Sequence, residues 1–258
     1  MTTENTRHVA SMQSIVPMPL TFGSLFSGIG GFDLGFERAG LICTWQVEIN
    51  EYASKVLAKH WPDVERFSDV RKVGARQLRS VDVIIGGDPC QANSAAVGSG
   101  RSKKESFGGE FLRVVAEIRP RIVVRENPSH VRIGAPWPWF RFRAGLESIG
   151  YACLPFRLRA CCVGARHRRE RLFVLGVDAN ADSKCVEGWN DQGSRESKSG
   201  DNIYSLVGPA AWPTVPECSG HRSRAGIPGY VERITGLGNA VCPQVSEWIG
   251  RQLVAAAS

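Results

Sequence analysis

The sequence predicts an α/β fold built on a doubly wound, mostly parallel sheet. Segments with strand and helix character alternate from residue 20 to about residue 177. A glycine-rich turn, Ser27–Gly31, separates the first strand from the first helix. The segment Val81–Ile85 is continuously apolar, as is typical of a parallel strand that is covered on both faces.

The elements follow one another with recognisable boundaries. The first strand is predicted over Leu20–Phe26, and the helix after the glycine-rich turn closes at Gly40. A second strand over Leu41–Ile49 carries Glu48 near its end, and Asn50 is suited to cap the next helix. Further along come the strand Val81–Ile85, a polar stretch Asp88–Gly108, the helix Phe111–Ile118, the strand Arg121–Arg125, the helix Trp137–Ile149, and the strands Tyr151–Arg159 and Arg171–Val177.

Composition divides the chain into four regions. Residues 1–19 are expected to be a flexible tail, and residues 20–177 form the α/β domain. Residues 178–233 are rich in Ser, Gly, Asp, Asn and Pro and show little periodicity. Regular structure is expected again within residues 234–258, where Val245, Ile249 and Leu253 recur at helical spacing.

Composition also excludes several classes of protein. The chain has 258 residues, 43% hydrophobic and 22% charged, which is ordinary for a protein with a large core. No apolar run approaches the roughly 20 residues of a membrane helix, and no signal-peptide core is visible. The eight cysteines show no Cys-x-x-Cys or repeated Cys/His pattern, so we expect no metal site. Free thiols and the lack of a targeting segment favour the cytoplasm of a prokaryote or a phage-infected host.

The net charge of +7 suits a polyanionic partner. Of the 32 basic residues, 25 are arginine, which is well suited to contacts with phosphates and base edges. Six arginines crowd into 15 residues, opposed only by Glu170: Arg157, Arg159, Arg166, Arg168, Arg169 and Arg171.

The glycine-rich turn indicates a cofactor that contains a nucleoside. Glycines between a strand and a helix let a ligand approach backbone N–H groups closely. Glu48, near the end of the next strand, is placed to accept ribose hydroxyls. The turn does not follow G-x-G-x-x-G, so a single nucleoside is favoured over a dinucleotide. A purely structural turn remains the alternative for this feature alone.

Two further features follow neighbouring strands of the predicted sheet. In Gly86-Gly87-Asp88-Pro89-Cys90-Gln91 the cysteine opens a polar loop directly after a buried strand, where a nucleophile is expected. Glu126 ends the following strand, so its carboxyl would share the crevice with Cys90. A carboxyl and a thiol in one crevice form a plausible acid and nucleophile, and a solvated strand end is the alternative for Glu126.

Taken in order, these features resemble the cytosine-C5 DNA methyltransferase family, of the short phage or bacterial type. The matching segments are Phe26–Gly31, Pro89-Cys90-Gln91, Glu126-Asn127, Arg169-Glu170-Arg171, Gly238-Asn239-Ala240-Val241 and Pro243-Gln244. The resemblance covers residues 20–177 and 234–252. It implies the S-adenosylmethionine-dependent methyltransferase fold, in which residues 20–177 are catalytic and residues 178–233 are a small, loop-rich target-recognition region.

The resemblance also implies roles for individual residues. Cys90 would be the nucleophile that adds to C6 of cytosine, Glu126 would hold N3 and the amine, Arg171 would bind the base carbonyl, and Arg169 would assist. S-adenosylmethionine would be held by Phe26, Ser27, Gly28, Gly30, Gly31, Glu48, Asp69, Pro89, Asn239 and Ala240. Double-stranded DNA would be contacted by Gln91, Ser94, Arg101, Lys103, Arg166, Arg168, Arg222 and Arg224. The protein is expected to act as a monomer, with no membrane and no metal.

Three departures from the family pattern stand out. Asp88 occupies a position where the family usually has a bulky apolar residue, and its charge would raise the thiol pKa unless it is paired or turned away. Pro128 follows Glu126-Asn127 in place of the usual valine. The region between Arg169-Glu170-Arg171 and Gly238 is short. Because this region normally carries target recognition, the resemblance says least about which DNA sequence is recognised.

Three other functions stay open at this point. The same mechanism could use a modified sulfonium donor, or it could act on RNA. The protein could also be a catalytically weak DNA-binding relative, although such a protein would have no need of Cys90, Glu126 and Arg171 together.

Overall fold

A computed structural model describes residues 18–89, 107–128, 138–179 and 236–257. The strands are β1 (Thr21–Leu25), β2 (Ile42–Val47), β3 (Glu65–Phe67), β4 (Val83–Gly86), β5 (Ile122–Pro128), β6 (Tyr151–Arg159) and β7 (Glu170–Asp178). The helices, numbered in chain order, are α1 (Gly31–Arg38), α2 (Glu51–His60), α3 (Gly108–Ile118), α4 (Pro138–Ser148) and α5 (Pro243–Ala257).

The strands form one sheet in the order β3-β2-β1-β4-β5-β7-β6. The first five are parallel to their neighbours, whereas β7 runs antiparallel to both β5 and β6. From β1 the chain builds outward to β3 and then returns to β4 on the other side of β1. This confirms the doubly wound, mostly parallel fold, and it places a crevice at the carboxyl ends of β1 and β4, where such folds bind ligands.

Local sequence explains most of these elements. The Asn50 side chain caps α2 by accepting a hydrogen bond of 2.9 Å from the N–H of Ala53, as predicted. Every residue of β4 is buried, as its continuous apolar run indicated. The second strand is shorter than predicted and ends at Val47, although the N–H of Glu48 still donates a hydrogen bond of 2.9 Å to the carbonyl of Phe67 in β3. The edge strand β3 was not predicted, because three residues are too few to show a periodicity.

The core lies on both faces of the sheet. One face is packed against α1 and α5 through residues such as Phe36 and Ile249, and the other against α3 and α4 through Phe111 and Phe142. The predicted inner residues of the last helix, Val245, Ile249 and Leu253, are all buried.

Helices α1 and α5 approach each other closely. A Cβ added to Gly35 would lie 1.9 Å from the Ser246 Oγ, and one added to Gly250 would lie 2.7 Å from the Ala39 Cβ. The Ser246 hydroxyl also donates a hydrogen bond of 3.1 Å to the carbonyl of Gly31. Only glycines allow this close approach. Helix α5 therefore packs directly on α1 and belongs to the same domain.

The tail predicted over residues 1–19 and the recognition region predicted over 178–233 lie outside the described residues, except for residues 18–19 and 178–179. Within the described ranges, no helix is long and apolar enough to span a membrane. The same ranges hold no group of three or more His, Cys, Asp or Glu side chains suited to a metal ion.

Asp33 is a buried carboxyl in the first turn of α1, and it makes stability depend on pH. It accepts hydrogen bonds from the Ser24 hydroxyl (3.1 Å) and the Gln46 amide (2.9 Å). Burial raises its pKa from 3.8 to about 6. The folded state therefore binds more protons than the unfolded state between these values, and stability falls as the pH rises through that interval.

We expect Asp33→Asn to stabilise the protein at neutral pH by up to about 3 kcal/mol, because the uncharged amide is cheaper to bury. Urea unfolding at about pH 5 and about pH 8 measures the effect, which should be larger at the higher pH. Glu37→Gln, on the exposed side of the same helix, is the matched control. Equal or lower stability of Asp33→Asn at both pH values would contradict the expectation.

Candidate active site

The turn after β1 has a strained backbone. Phe26, Gly28 and Gly30 have φ angles of 54°, 57° and 82°. A positive φ is rare for phenylalanine and costs energy, so neighbouring contacts must hold it. The Phe26 ring stacks on Phe111, with centroids 6.4 Å apart, and meets Phe107 edge-on at 5.9 Å. Strain of this kind is typical of ligand-binding turns.

Glu48 lies against this turn, as the sequence predicted. Its two carboxylate oxygens accept hydrogen bonds of 2.7 Å each, one from the N–H of Gly28 and one from that of Asn50. Each oxygen keeps a further lone pair for a hydroxyl donor. A Cβ added to Gly28 would meet nothing within 4 Å, so there is open space beside the carboxylate.

Asp69 follows β3 at the same edge of the sheet. Its carboxylate accepts hydrogen bonds of 2.9 Å from both the Nε and the Nη2 of Arg71, and one from the Arg71 backbone N–H. These bonds lower the pKa of Asp69. The predicted contact of Asp69 with an adenine would have to share the carboxylate with Arg71.

The C-terminal motif covers the other side of the turn. A Cβ on Gly31 would lie 2.3 Å from the carbonyl oxygen of Val241 and 3.2 Å from the Ala240 Cβ. Arg169 holds this segment, because its Nη2 donates hydrogen bonds of 2.7 and 2.6 Å to the carbonyls of Gly238 and Ala240. Asn239, beside them, is exposed. Arg169 therefore links the C-terminal motif to the β7 side of the site.

Glu126 is buried inside β5 and is not a solvated strand end. Its Oε1 lies 2.8 Å from the Nε of Arg171, and its side chain is 7% exposed. Burial raises the pKa of Glu126 to about 7, although Arg171 and Arg169 oppose the shift. A carboxyl with this pKa can either donate or accept a hydrogen bond near neutral pH.

Sequence reasoning missed the partner of Asp88. The Asp88 carboxylate is buried and pairs with Arg125, with 2.7 Å between the Arg125 Nη2 and the Asp88 Oδ2. An arginine inside the otherwise apolar run of β5 was the available signal, because a buried guanidinium requires an acidic partner. The charge that Asp88 would otherwise present to Cys90 is thus compensated.

Several predicted residues lie outside the described part of the chain: Cys90, Gln91, Ser94, Arg101, Lys103, Arg222 and Arg224. Pro89, the last residue described before Cys90, is exposed at the mouth of the crevice.

The arginine cluster is partly neutralised. Glu170 lies 2.8 Å from the Nε of Arg159 and 3.7 Å from the Nη1 of Arg157. The Arg157 and Arg159 side chains nevertheless stay 58% and 54% exposed, and exposed ion pairs are weak, so contacts of these arginines with phosphates stay a prediction. Arg166 and Arg168 are exposed in the turn before β7, where a polyanion could reach them.

Comparisons with known proteins agree with this geometry. The family model described as C-5 cytosine-specific DNA methylase matches residues 20–221, more than half of the chain. The chain is 32% identical to the Type II methyltransferase M1.HphI of Haemophilus parahaemolyticus over 62% of its own length, but it spans only 46% of that relative. It is 25% identical to M2.BsuMI of Bacillus subtilis, with 89% of this chain and 74% of the relative covered.

Among solved structures, a protein described as a DNA modification methyltransferase encoded within a prophage (E. coli) is 28% identical. The match has a TM-score of 0.52 and covers 64% of this chain and 50% of that one. The seven-stranded sheet, the buried carboxyl–arginine pair at its edge and the family match lead to one identification. The chain belongs to the C-5 cytosine-specific DNA methylase family.

Proposed function

We propose that the protein transfers a methyl group from S-adenosylmethionine to C5 of cytosine in double-stranded DNA. The observation that carries the proposal is the buried Glu126–Arg171 pair, which joins β5 to β7. It lies beside the end of β4, from which the chain passes through Pro89 to Cys90.

The turn after β1 fits the proposed cofactor. Open space at Gly28, with the Glu48 carboxylate beside it, suits a ribose, whose hydroxyls can donate to the free lone pairs of Glu48. Phe26 and the turn amides would hold the remainder of the cofactor, and Asn239 and Ala240 would lie on the opposite side of it. When bound, S-adenosylmethionine supplies a methyl group on a sulfonium, an electrophile that a carbon nucleophile can attack.

The chain's own residues account for the activation of cytosine. C5 is a poor nucleophile, and addition of the Cys90 thiolate to C6 makes C5 an enamine carbon that can attack a methyl group. Glu126, neutral below about pH 7, would donate a hydrogen bond to N3 as negative charge develops in the ring. Arg171 would bind the base carbonyl while it holds Glu126. Loss of the C5 proton and elimination of the thiol then regenerate the enzyme.

The target atom lies inside the base stack, so the cytosine must be flipped out at a cost of about a few kcal/mol. The polar stretch after Cys90 carries Ser94, Arg101 and Lys103, which are the residues proposed to contact the DNA there. A cytoplasmic location and a monomeric state stay predictions from the sequence.

Nucleoside mass spectrometry tests the proposal directly. Duplex DNA is incubated with the protein and methyl-labelled S-adenosylmethionine, then digested and analysed. A parallel reaction contains RNA in place of the DNA. Labelled 5-methyldeoxycytidine is expected from the DNA reaction. A protein that binds the cofactor but labels no nucleoside contradicts the proposal, and label found only in the RNA reaction favours the RNA alternative.

The protein is expected to recognise DNA with low sequence specificity. Residues 178–233 can present few base-reading side chains, with Asn202, Trp212, Arg222 and Arg224 as the candidates. Base contacts specify a sequence, whereas phosphate contacts only position the protein. Exposed Arg166 and Arg168 are suited to phosphate contacts.

We therefore expect a degenerate target of roughly two to four base pairs, with each mismatch costing about 1–3 kcal/mol. Binding should weaken steeply as salt rises, because released counterions supply much of the affinity. Bisulfite sequencing of a methylated random library measures the target. A unique site of about six or more fixed bases would overturn this prediction.

A further inference from the structure

The end of β4 carries a buried ion pair at a position where the family usually has an apolar residue. Asp88 lies against Arg125 of the neighbouring strand, with both carboxylate oxygens bonded to the guanidinium. The Arg125 and Asp88 side chains are 2% and 5% exposed. The Asn127 amide lies 3.4 Å from the same carboxylate. The strand end is thus tied to β5 by side chains as well as by backbone.

A third element holds the pair in one orientation. The guanidinium carbon of Arg125 lies 4.2 Å from the centroid of the Phe142 ring in α4. Phe142 is buried and packs edge-on against Phe111 of α3, with centroids 5.1 Å apart. A planar guanidinium stacked on a fixed ring has little freedom to turn, so Asp88 is bound by a rigid partner.

Glu126, the next residue of β5, points to a different partner. It reaches Arg171 of β7, whereas Arg125 packs against α4. Gly87 lies beside Glu126 and leaves room for it, because an added Cβ would lie 3.0 Å from the Glu126 Oε2. Two carboxylates therefore sit at adjacent strand ends, each compensated by its own arginine.

Stability alone does not explain the Asp88–Arg125 pair. Removing two charges from water is costly, and apolar residues of similar volume usually stabilise a fold equally well. In some proteins a buried ion pair is kept because it specifies a single arrangement. Pro89 follows Asp88 at once and fixes the backbone φ angle, and Cys90 comes next.

We propose that Asp88 and Arg125 are a positioning pair for the reaction at Cys90. The pair fixes the direction in which the chain leaves β4, and it keeps the Asp88 charge compensated two residues before the thiol. The inference rests on the proposed function, since the pair acts through Cys90 and not on the substrate.

Two variants separate charge from geometry. Asp88→Asn leaves the Arg125 charge uncompensated, which should favour the Cys90 thiolate and lower its pKa. Arg125→Met leaves the Asp88 charge uncompensated and should raise the pKa of the same thiol. Both variants keep the other charged residues at this edge, Glu126, Arg169 and Arg171. Loss of the Asp88 charge also lowers the pKa of Glu126, which opposes the expected fall in the thiol pKa. The rate of Cys90 alkylation by iodoacetamide as a function of pH, followed by peptide mass spectrometry, reports the pKa in each.

The rate of adduct formation with duplex DNA that contains 5-fluorocytosine reports how well Cys90 is aligned with C6 of the base. Both variants should form the adduct more slowly, by at least about 10-fold, because a displaced nucleophile loses its alignment with C6. Affinity for S-adenosylhomocysteine should be kept. Opposite shifts in the thiol pKa together with a common loss of rate identify a positioning role.

Two further variants allow the proposal to be tested even if Asp88→Asn or Arg125→Met folds poorly. Arg125→Lys retains the charge but loses the planar fork, so it should slow the adduct while leaving the alkylation profile in place. Asp178→Asn breaks the pair with Arg119, which has an Nη2–Oδ2 distance of 2.7 Å, at the opposite edge of the sheet. It should lower the unfolding midpoint and leave both Cys90 measurements unchanged.

The inference is overturned if neither Asp88→Asn nor Arg125→Met shifts the alkylation profile, or if Arg125→Lys forms the adduct at the wild-type rate. Failure of the proposed function gives a different result. In that case the wild-type protein forms no adduct, while the alkylation profiles of the variants still report on the pair.

Discussion

We expect Cys90→Ala to abolish the proposed methyl transfer while leaving cofactor affinity nearly unchanged. This is the largest effect expected of any single substitution, because without the thiol C5 of cytosine is not made nucleophilic. Apart from Pro89, the residues proposed to hold the cofactor are on other segments, such as the turn after β1 and Glu48. Single-turnover transfer to DNA and titration with S-adenosylhomocysteine measure the two quantities separately.

DNA that contains 5-fluorocytosine gives the covalent evidence. Wild-type protein should form a stable adduct, because fluorine cannot leave C5 as a proton does. Cys153→Ala is the matched control: it removes a partly buried thiol of β6, away from the crevice, and should form the adduct normally. An adduct formed equally well by Cys90→Ala would show that another residue is the nucleophile.

Glu126→Gln should lower the single-turnover rate by roughly 10²–10⁴-fold, the range usual for a positioned acid. The amide can still occupy the site beside Arg171, but it cannot give a proton to N3 as charge develops in the ring. DNA binding should change far less than the chemical step. Equal activity in the variant would remove Glu126 from the mechanism.

The pH dependence of the same step gives an independent check on Glu126. Its pKa is raised to about 7, so the neutral acid predominates below that pH and is lost above it. The rate contributed by the acid should therefore fall as the pH rises through about 7, and Glu126→Gln should lack this descending limb. A descending limb that persists in Glu126→Gln would assign it to a different group.

Most of the sheet could be predicted because local sequence determines it. The Asn50 cap, the glycines after β1 and the apolar run of β4 each act over a few residues. The edge strand β3 is held by its pairing with β2 and not by a pattern of its own. The direction of β7 was also invisible, because an apolar strand has the same composition whichever way it runs.

Some residues of the candidate site could likewise be predicted from the sequence and others could not. Glu48 was predictable because it lies just after the carboxyl end of a strand, where doubly wound folds bind ligands. Glu126 was predictable because it lies near such an end, two residues before β5 stops. The Asp88–Arg125 pair was not, since it joins residues 37 positions apart through the register that sets Gly86 opposite Arg125. To predict such an ion pair one must know which residues of the two strands lie side by side, and the composition of the strands does not give this register.

The close fit of α1 and α5 has a consequence for the order in which the protein is made. The hydrogen bond from Ser246 to Gly31 spans 215 residues, so the wall beside the glycine-rich turn is made only after every strand of the sheet has been synthesised. Contacts this distant in sequence form slowly, and until they form the apolar side of α1 is open to misassembly. A nascent chain that stalls before α5 leaves the ribosome would lack part of its proposed cofactor pocket. Such an incomplete chain would be unable to carry out the proposed methyl transfer, whatever remained of its proposed catalytic residues.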